Sequence, residues 1–131
     1  MERNVVKTAA APAAIGPYSQ AITVQLGGQR MVFCSGMIAL DPVTGNMVGE
    51  GDVEAQTRRV LQSIGGVLEA AGATVANVVK TTIFLKSMGD FAKVNAIYGE
   101  TFVKDPPARE TVEAAALPRG ALVEISVTAV V

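Results

Sequence analysis

An α+β fold, with two helices on one face of a mixed sheet of about six strands, is predicted by three observations. Six segments alternate or run apolar in the manner of strands, bounded by glycine, proline and aspartate. Two segments carry apolar residues at helical spacing, clearest at Val60, Leu61, Ile64, Val67, Leu68 and Ala71. Their order along the chain is β-β-β-α-β-α-β-β, which suits a single layer of helices packed on a sheet.

Residues 4–8 form the first predicted strand, followed by an alanine- and proline-rich loop over residues 9–16 that ends in Gly16-Pro17-Tyr18-Ser19. Pro17 fixes the backbone before Tyr18 and could aim its ring, although a ring that only covers the core edge fits equally well. Residues 21–26 and 30–38 are the next two strands, joined through Gly27-Gly28 as a hairpin. Ser35-Gly36 interrupts the second of these, marking a bulge or a close approach by another group. Asp41-Pro42-Val43-Thr44-Gly45 is a turn, and Asp52 caps a helix that runs to Ala71 and stops at Gly72. Gly65-Gly66 inside that helix predicts close packing against the sheet. Residues 75–86 alternate as a strand, with Val79, Thr81, Ile83 and Leu85 on one side. Residues 87–90 cap a second helix reaching Val103, striped by Phe91, Val94, Tyr98 and Phe102. Asn95 lies beside that stripe, as a satisfied amide or a ligand contact. Lys104-Asp105-Pro106-Pro107 ends the helix, and strands over 109–116 and 122–131 close the chain.

At 131 residues the chain, 1–131, predicts one domain. A net charge of −1 offers no electrostatic basis for binding nucleic acid or an anionic membrane surface. With 50% hydrophobic and only 18% charged residues, so short a chain is expected to hide apolar surface against a partner, most simply in a homo-oligomer. Neither a signal peptide nor a membrane span is apparent, and Cys34 is the only cysteine, so a cytoplasmic, reducing location is expected. Cys34 sits in the apolar run Met31-Val32-Phe33-Cys34 and reads as a small hydrophobe. The absence of histidine removes Ser-His-Asp and Cys-His catalysis and histidine-ligated zinc, and no phosphate-binding glycine motif is present. Carboxylate, arginine, hydroxyl, backbone and water remain as chemical means.

Two charged residues sit oddly in the closing strands. Arg109, Thr111 and Glu113 share one face, opposite the apolar face of Val112, Ala114 and Ala116. Glu124, Ser126 and Thr128 share a face opposite Val123, Ile125, Val127 and Ala129. An arginine fork suits a carboxylate, and a glutamate on an apolar strand can hold a water or move a proton. A structural ion pair, or two solvated side chains, accounts for the same spacing. Were the two strands a simple hairpin about Arg119, Arg109 and Glu124 would stand roughly 16 Å apart and could meet on one substrate only across a subunit boundary, whereas a sheet that does not pair these strands directly allows other arrangements.

The words Ala14-Ile15-Gly16-Pro17-Tyr18-Ser19-Gln20, Cys34-Ser35-Gly36, Val67-Leu68-Glu69-Ala70-Ala71-Gly72, Val79-Lys80-Thr81-Thr82 and Phe91-Ala92-Lys93-Val94-Asn95 follow one another in this order along the chain. With Pro107-Ala108-Arg109, Leu117-Pro118 and Val123-Glu124-Ile125, they resemble the reactive intermediate/imine deaminase family, the RidA or YjgF group, over nearly the whole length. The resemblance implies a chorismate-mutase-like fold and a homotrimer with sites between subunits. It also implies hydrolysis of 2-imino and 2-enamino acids, such as 2-aminoacrylate and 2-iminobutanoate, to 2-oxo acids and ammonia, with no metal or cofactor. By the same resemblance Arg109 clamps the substrate carboxylate and Glu124 positions water and shuttles its proton. Tyr18, Ser35, Gly36, Asn95, Thr111 (through its backbone) and Pro118 line the pocket.

Two residues depart from the family pattern. Thr111 stands where many members have cysteine, and Glu110 where a small or apolar residue is usual. By alternation Glu110 is expected to face away from Arg109, toward the helix-covered side or a strand end. The sheet face without helices, taken to carry Thr111, Ser126 and Thr128, is expected to meet neighbouring subunits. Alternatives are a deaminase specialised for another imine or enamine, such as an aminomuconate-type substrate, and a non-catalytic ligand-sensing trimer. A ribonuclease role, also attached to the family, suits neither the acidic balance nor the missing histidine.

Overall fold

The computed structural model describes residues 1–131. Six strands, β1 (Glu2–Val6), β2 (Ala21–Leu26), β3 (Gln29–Cys34), β4 (Val78–Leu85), β5 (Ala108–Glu113) and β6 (Val123–Val130), form one sheet in the order β1-β2-β3-β6-β4-β5. Helices α1 (Val53–Ala70) and α2 (Phe91–Thr101) complete the expected α+β order, with short 3-10 turns before β4, α2 and β6. The sheet is mixed: β4 and β5 are parallel and every other neighbouring pair is antiparallel.

Local signals account for most boundaries. Gly27 takes φ 62 in the two-residue turn between β2 and β3, the left-handed start such a hairpin favours. Asp52 accepts from the backbone N–H of Glu54 and Ala55, each at 3.1 Å, and so starts α1. Val60, Ile64, Val67 and Leu68 of α1 are fully buried against Val123, Ile125, Val127 and Ala129 of β6, so the core lies between helices and sheet. Gly66 departs from expectation. A side chain there would meet not the sheet but Ala10, with Cβ 2.9 Å from the Ala10 Cβ, so this glycine seats the 9–16 loop. Gly65 has nothing near it.

Three boundaries shift for identifiable reasons. β1 ends at Val6 because Gln20 takes over the next stretch: its Oε1 accepts from Thr8 N at 2.7 Å and its Nε2 donates to Pro12 O at 2.8 Å. β3 ends at Cys34, and after the break at Ser35-Gly36 the chain rejoins the sheet through Met37 and Ile125. β4 begins at Val78 after a 3-10 turn capped by Thr74, and a bulge between Val78 and Lys80 leaves Val79 49% exposed rather than on the Thr81 face.

The phase of β5 is the main correction. β4 lies between β5 and β6, so the closing strands are not a hairpin. Arg109 pairs with Thr81 and Thr111 with Ile83, both fully buried under the helices, so Arg109 and Thr111 face the helix-covered side. Glu110 and Val112 face the opposite, open side with Thr82 and Phe84. Glu110 therefore does not point toward the helices. Its carboxylate meets Lys80 Nζ at 2.7 Å and accepts from Thr82 Oγ1 at 3.0 Å, contacts that hold its pKa below the usual carboxylate range. Thr111 is likewise absent from the open face. That face carries Ser126 and Thr128 as expected, and with them Glu124, Phe33, Phe84 and Val112.

Candidate functional site

The chemistry-bearing residues fall into two groups. In the first, Glu124 projects from β6 on the open face beside Phe84 and borders a cavity of about 400 Å³. Tyr18, Gly36, Pro118 and Arg119 line the same cavity, with Met37 and Ile38 among its apolar walls. Gly36 follows the break in β3, and a Cβ there would overlap Glu124 Oε1 and stand 2.9 Å from its Cδ. A side chain at this position would push the carboxylate aside, so the glycine leaves room for it where it stands. Glu124 is half-buried, and burial raises its pKa above the usual carboxylate value. Its protonation thus moves toward neutrality, which suits a group that must take and return a proton.

Tyr18 stands at the cavity edge, 53% exposed, on a loop turned by Gly16 at φ 112. Ser35 supports that loop: its N–H donates to Gln20 O at 2.9 Å and its hydroxyl to Ser19 O at 2.5 Å. Pro118 opens the turn before β6, and Arg119 follows at φ 56, with Nη1 donating to Gly45 O at 2.9 Å. Nearby Cys34 is buried, and burial pushes its thiol up to about 12, which keeps it protonated at neutral pH and inert as a nucleophile.

The second group is built on β5 and α2. Arg109 Nη1 donates to Asn95 Oδ1 at 2.8 Å. The guanidinium carbon lies 4.8 Å from the Tyr98 ring centroid and 5.7 Å from that of Phe91. Phe91, Asn95 and Tyr98 follow at i, i+4 and i+7, one contact per turn of α2 along the arginine. Tyr98 is buried, and its hydroxyl pairs with Thr81 Oγ1 at 2.7 Å. Burial raises the Tyr98 pKa, against smaller lowering effects from Thr81 and Arg109.

One chain does not bring the two groups together. Through β4, Arg109 is level with Val127 and Glu124 with Val112. Two strand spacings and three residues of offset separate their backbones by about 14 Å, on opposite faces of the sheet.

A family model described as Endoribonuclease L-PSP matches residues 8–131. The chain belongs to this family. Protein DfrA of Myxococcus xanthus is 52% identical over 99% of this chain and 97% of its own length. A mouse protein named 2-iminobutanoate/2-iminopropanoate deaminase is 48% identical over 98% of this chain and 91% of its own. Among solved structures, the Rid-family protein YyfA from Yersinia pestis, itself of unknown function, superposes with a TM-score of 0.90. It is 49% identical and covers 99% of this chain and 100% of its own. The resemblance read from the motifs therefore stands, and the α+β fold is shared with this Rid-family structure.

Within the family frame, Thr111 is a local misfit. Its Oγ1 is buried and has no hydrogen-bond partner. An apolar group or a thiol suits such a position better than a hydroxyl that has lost its water. Thr111→Val is therefore expected to stabilise the fold by about 1–2 kcal/mol, read as a higher denaturant midpoint at unchanged slope. A lower midpoint would show that the hydroxyl is satisfied in solution.

Sequence reasoning placed Phe91 and Tyr98 only in a helical core stripe and Arg119 only in a turn. The spacing of Phe91 and Tyr98 around Asn95 was the available signal for the first two. Nothing local to Arg119 shows that its turn borders the cavity.

Proposed function

We propose that this chain hydrolyses small 2-imino and 2-enamino acids to 2-oxo acids and ammonia. We further propose that it does so as a homotrimer whose sites each combine two subunits. The observation that carries the reading is Glu124, its pKa raised by burial, seated against Gly36 at a cavity edged by Tyr18 and Pro118. The name of the 48% identical mouse relative supports the substrate class. Support for assembly comes from the open sheet face, where Phe33 and Val112 are each 43% exposed, and from the separation of the two groups within one chain.

In this reading Arg109 of one subunit holds the substrate carboxylate through a forked pair of N–H donors, with Asn95 beside it. Glu124 of a neighbour holds a water against the C=N carbon. As the water oxygen bonds to that carbon, Glu124 takes one of its protons, the C=N π pair moves to nitrogen, and Glu124 passes the proton to that nitrogen, giving a neutral carbinolamine. Glu124 then takes the hydroxyl proton as the carbonyl closes and the C–N bond breaks, and passes it to the departing nitrogen, which leaves as ammonia. The imine carbon is already electrophilic, so orientation and a placed base can suffice without an enzyme nucleophile. An enamine first takes a proton on carbon, from the Glu124 carboxylic acid or its water.

Release of 2-oxo acid should accelerate when the protein is added to 2-aminoacrylate or 2-iminobutanoate generated in place by a lyase or oxidase. Exhaustive chelation should leave the rate unchanged, because the chain has no histidine and no cluster of three His, Cys, Asp or Glu side chains able to hold a metal. Activity lost on chelation and restored by one metal would overturn the metal-independent mechanism. Absence of any rate increase would overturn the reading as a whole.

A further inference from the structure

The Arg109 guanidinium is exposed, yet it is held at three points. Asn95 Oδ1 takes one Nη1 proton, and the rings of Phe91 and Tyr98 flank the group at cation–π distance. No other hydrogen bond engages the guanidinium, so the opposite edge, Nε and Nη2, keeps its forked donors unspent. The Tyr98 ring is itself fixed: its hydroxyl is bonded to Thr81, and Phe102 packs against it with ring centroids 4.5 Å apart. Order thus passes from the core, through Tyr98, to a long side chain that would otherwise sample many rotamers at the surface.

We propose that Phe91 and Tyr98 are positioning residues for carboxylate capture. Their rings hold the Arg109 guanidinium in the orientation that presents its free edge to the substrate. This rests on the reading of Arg109 as the carboxylate clamp. The contribution lies in pre-organisation: the substrate carboxylate meets a fork already set, and binding does not have to order it. The two rings differ in what else they do. Tyr98 is also a core residue, whereas Phe91 is 37% exposed at the first turn of α2 and can be changed with less disturbance.

The test uses the full-length protein in its native assembly, with 2-iminobutanoate generated in place for kinetics and 2-oxobutanoate as the carboxylate for calorimetric binding. Phe91→Leu keeps an apolar side chain without a ring face, and is expected to raise KM and weaken 2-oxobutanoate binding by about 3–20-fold. Its kcat should stay within about twofold, because the lost interaction serves binding rather than the chemical step. Phe91→Tyr should restore both values. Tyr98→Phe keeps the ring face but loses the Thr81 bond that fixes it, so it should lower stability and raise KM by less than Phe91→Leu does. In an Arg109→Lys background, Phe91→Leu should have little further effect on KM.

Wild-type KM and binding in Phe91→Leu, alongside impaired Arg109→Lys, would overturn the positioning role and leave the clamp standing. The same Phe91→Leu penalty in wild-type and Arg109→Lys backgrounds would also overturn it, as a structural effect independent of the arginine. Unimpaired Arg109→Lys would remove the clamp itself, and the positioning role with it.

Discussion

Glu124→Gln is expected to lower turnover by about 10²–10⁴-fold and, at neutral pH, to leave the folded protein more stable than the wild type. Glutamine keeps the outline that fits against Gly36 but can neither accept nor return a proton. The stability gain follows from the same burial that tunes the carboxyl. Burial raises the folded-state pKa of Glu124 above its unfolded value, ordinarily about 4.3, so the folded state holds this proton more tightly. The favourable contribution is complete below the unfolded value and is lost as pH rises through the folded one. At neutral pH the wild type therefore carries an ionised carboxylate that the fold disfavours, and the glutamine variant does not. The two proteins should unfold alike near pH 4 in this respect and separate as pH increases. The acid limb of the wild-type kcat profile should fall above the ordinary glutamate range. Denaturant unfolding at two pH values and steady-state rates check these outcomes. Near-normal turnover in folded Glu124→Gln would sink the proton-transfer role, and equal stability at neutral pH would sink the burial penalty. If Glu124 moves the proton as proposed, function and stability are opposed at this position, as is common for groups placed to do chemistry.

What could be read from the sequence depended on whether the signal was local. The β2–β3 hairpin, the cap and stripe of α1 and the order of elements came from residues close together, and the structure bears them out. Gly36 was legible as a place where another group approaches the backbone, but the approaching group, Glu124, is supplied by the far end of the chain. The phase of β5 was not legible. Period-two alternation shows which residues share a face, but not which face meets the core, and on this edge strand the apolar Val112 lies on the open side. Nor could the sequence show that β4 enters between β5 and β6, since strand insertion is a long-range outcome. That insertion matters for the site, because it leaves Arg109 and Glu124 on opposite faces. Ser35 shows a different limit. Ser35 was expected, by resemblance, among the pocket residues, and its hydroxyl donates to Ser19 O, a contact that the sequence does not show. A serine beside a functional glycine looks the same in sequence whether it faces a ligand or a backbone carbonyl.

Two inactive variants should restore each other when mixed within one trimer. Arg109→Lys keeps the charge and loses the fork, which should reduce catalytic efficiency by about 1.5–3 kcal/mol, and Arg109→Ala should reduce it further. Glu124→Gln should be nearly inactive for the reason given above. If each site takes Arg109 from one subunit and Glu124 from the next, a mixed trimer of Arg109→Ala and Glu124→Gln chains contains sites with both residues intact. Co-refolding equal amounts at random should leave about a quarter of the sites whole, so activity should return to roughly that fraction of the wild type. The within-chain geometry makes this a sharp test, because about 14 Å and the sheet itself separate the two residues of one chain. No rotamer of either side chain passes through the sheet to meet the other. Light scattering should give three chains per particle for each variant and for the mixture, which excludes failed assembly as the cause of inactivity. A stable monomer at micromolar concentration would remove the shared site. A mixture no more active than its two components, in particles shown by mass spectrometry to contain both variants, would show that Arg109 and Glu124 do not act across one boundary.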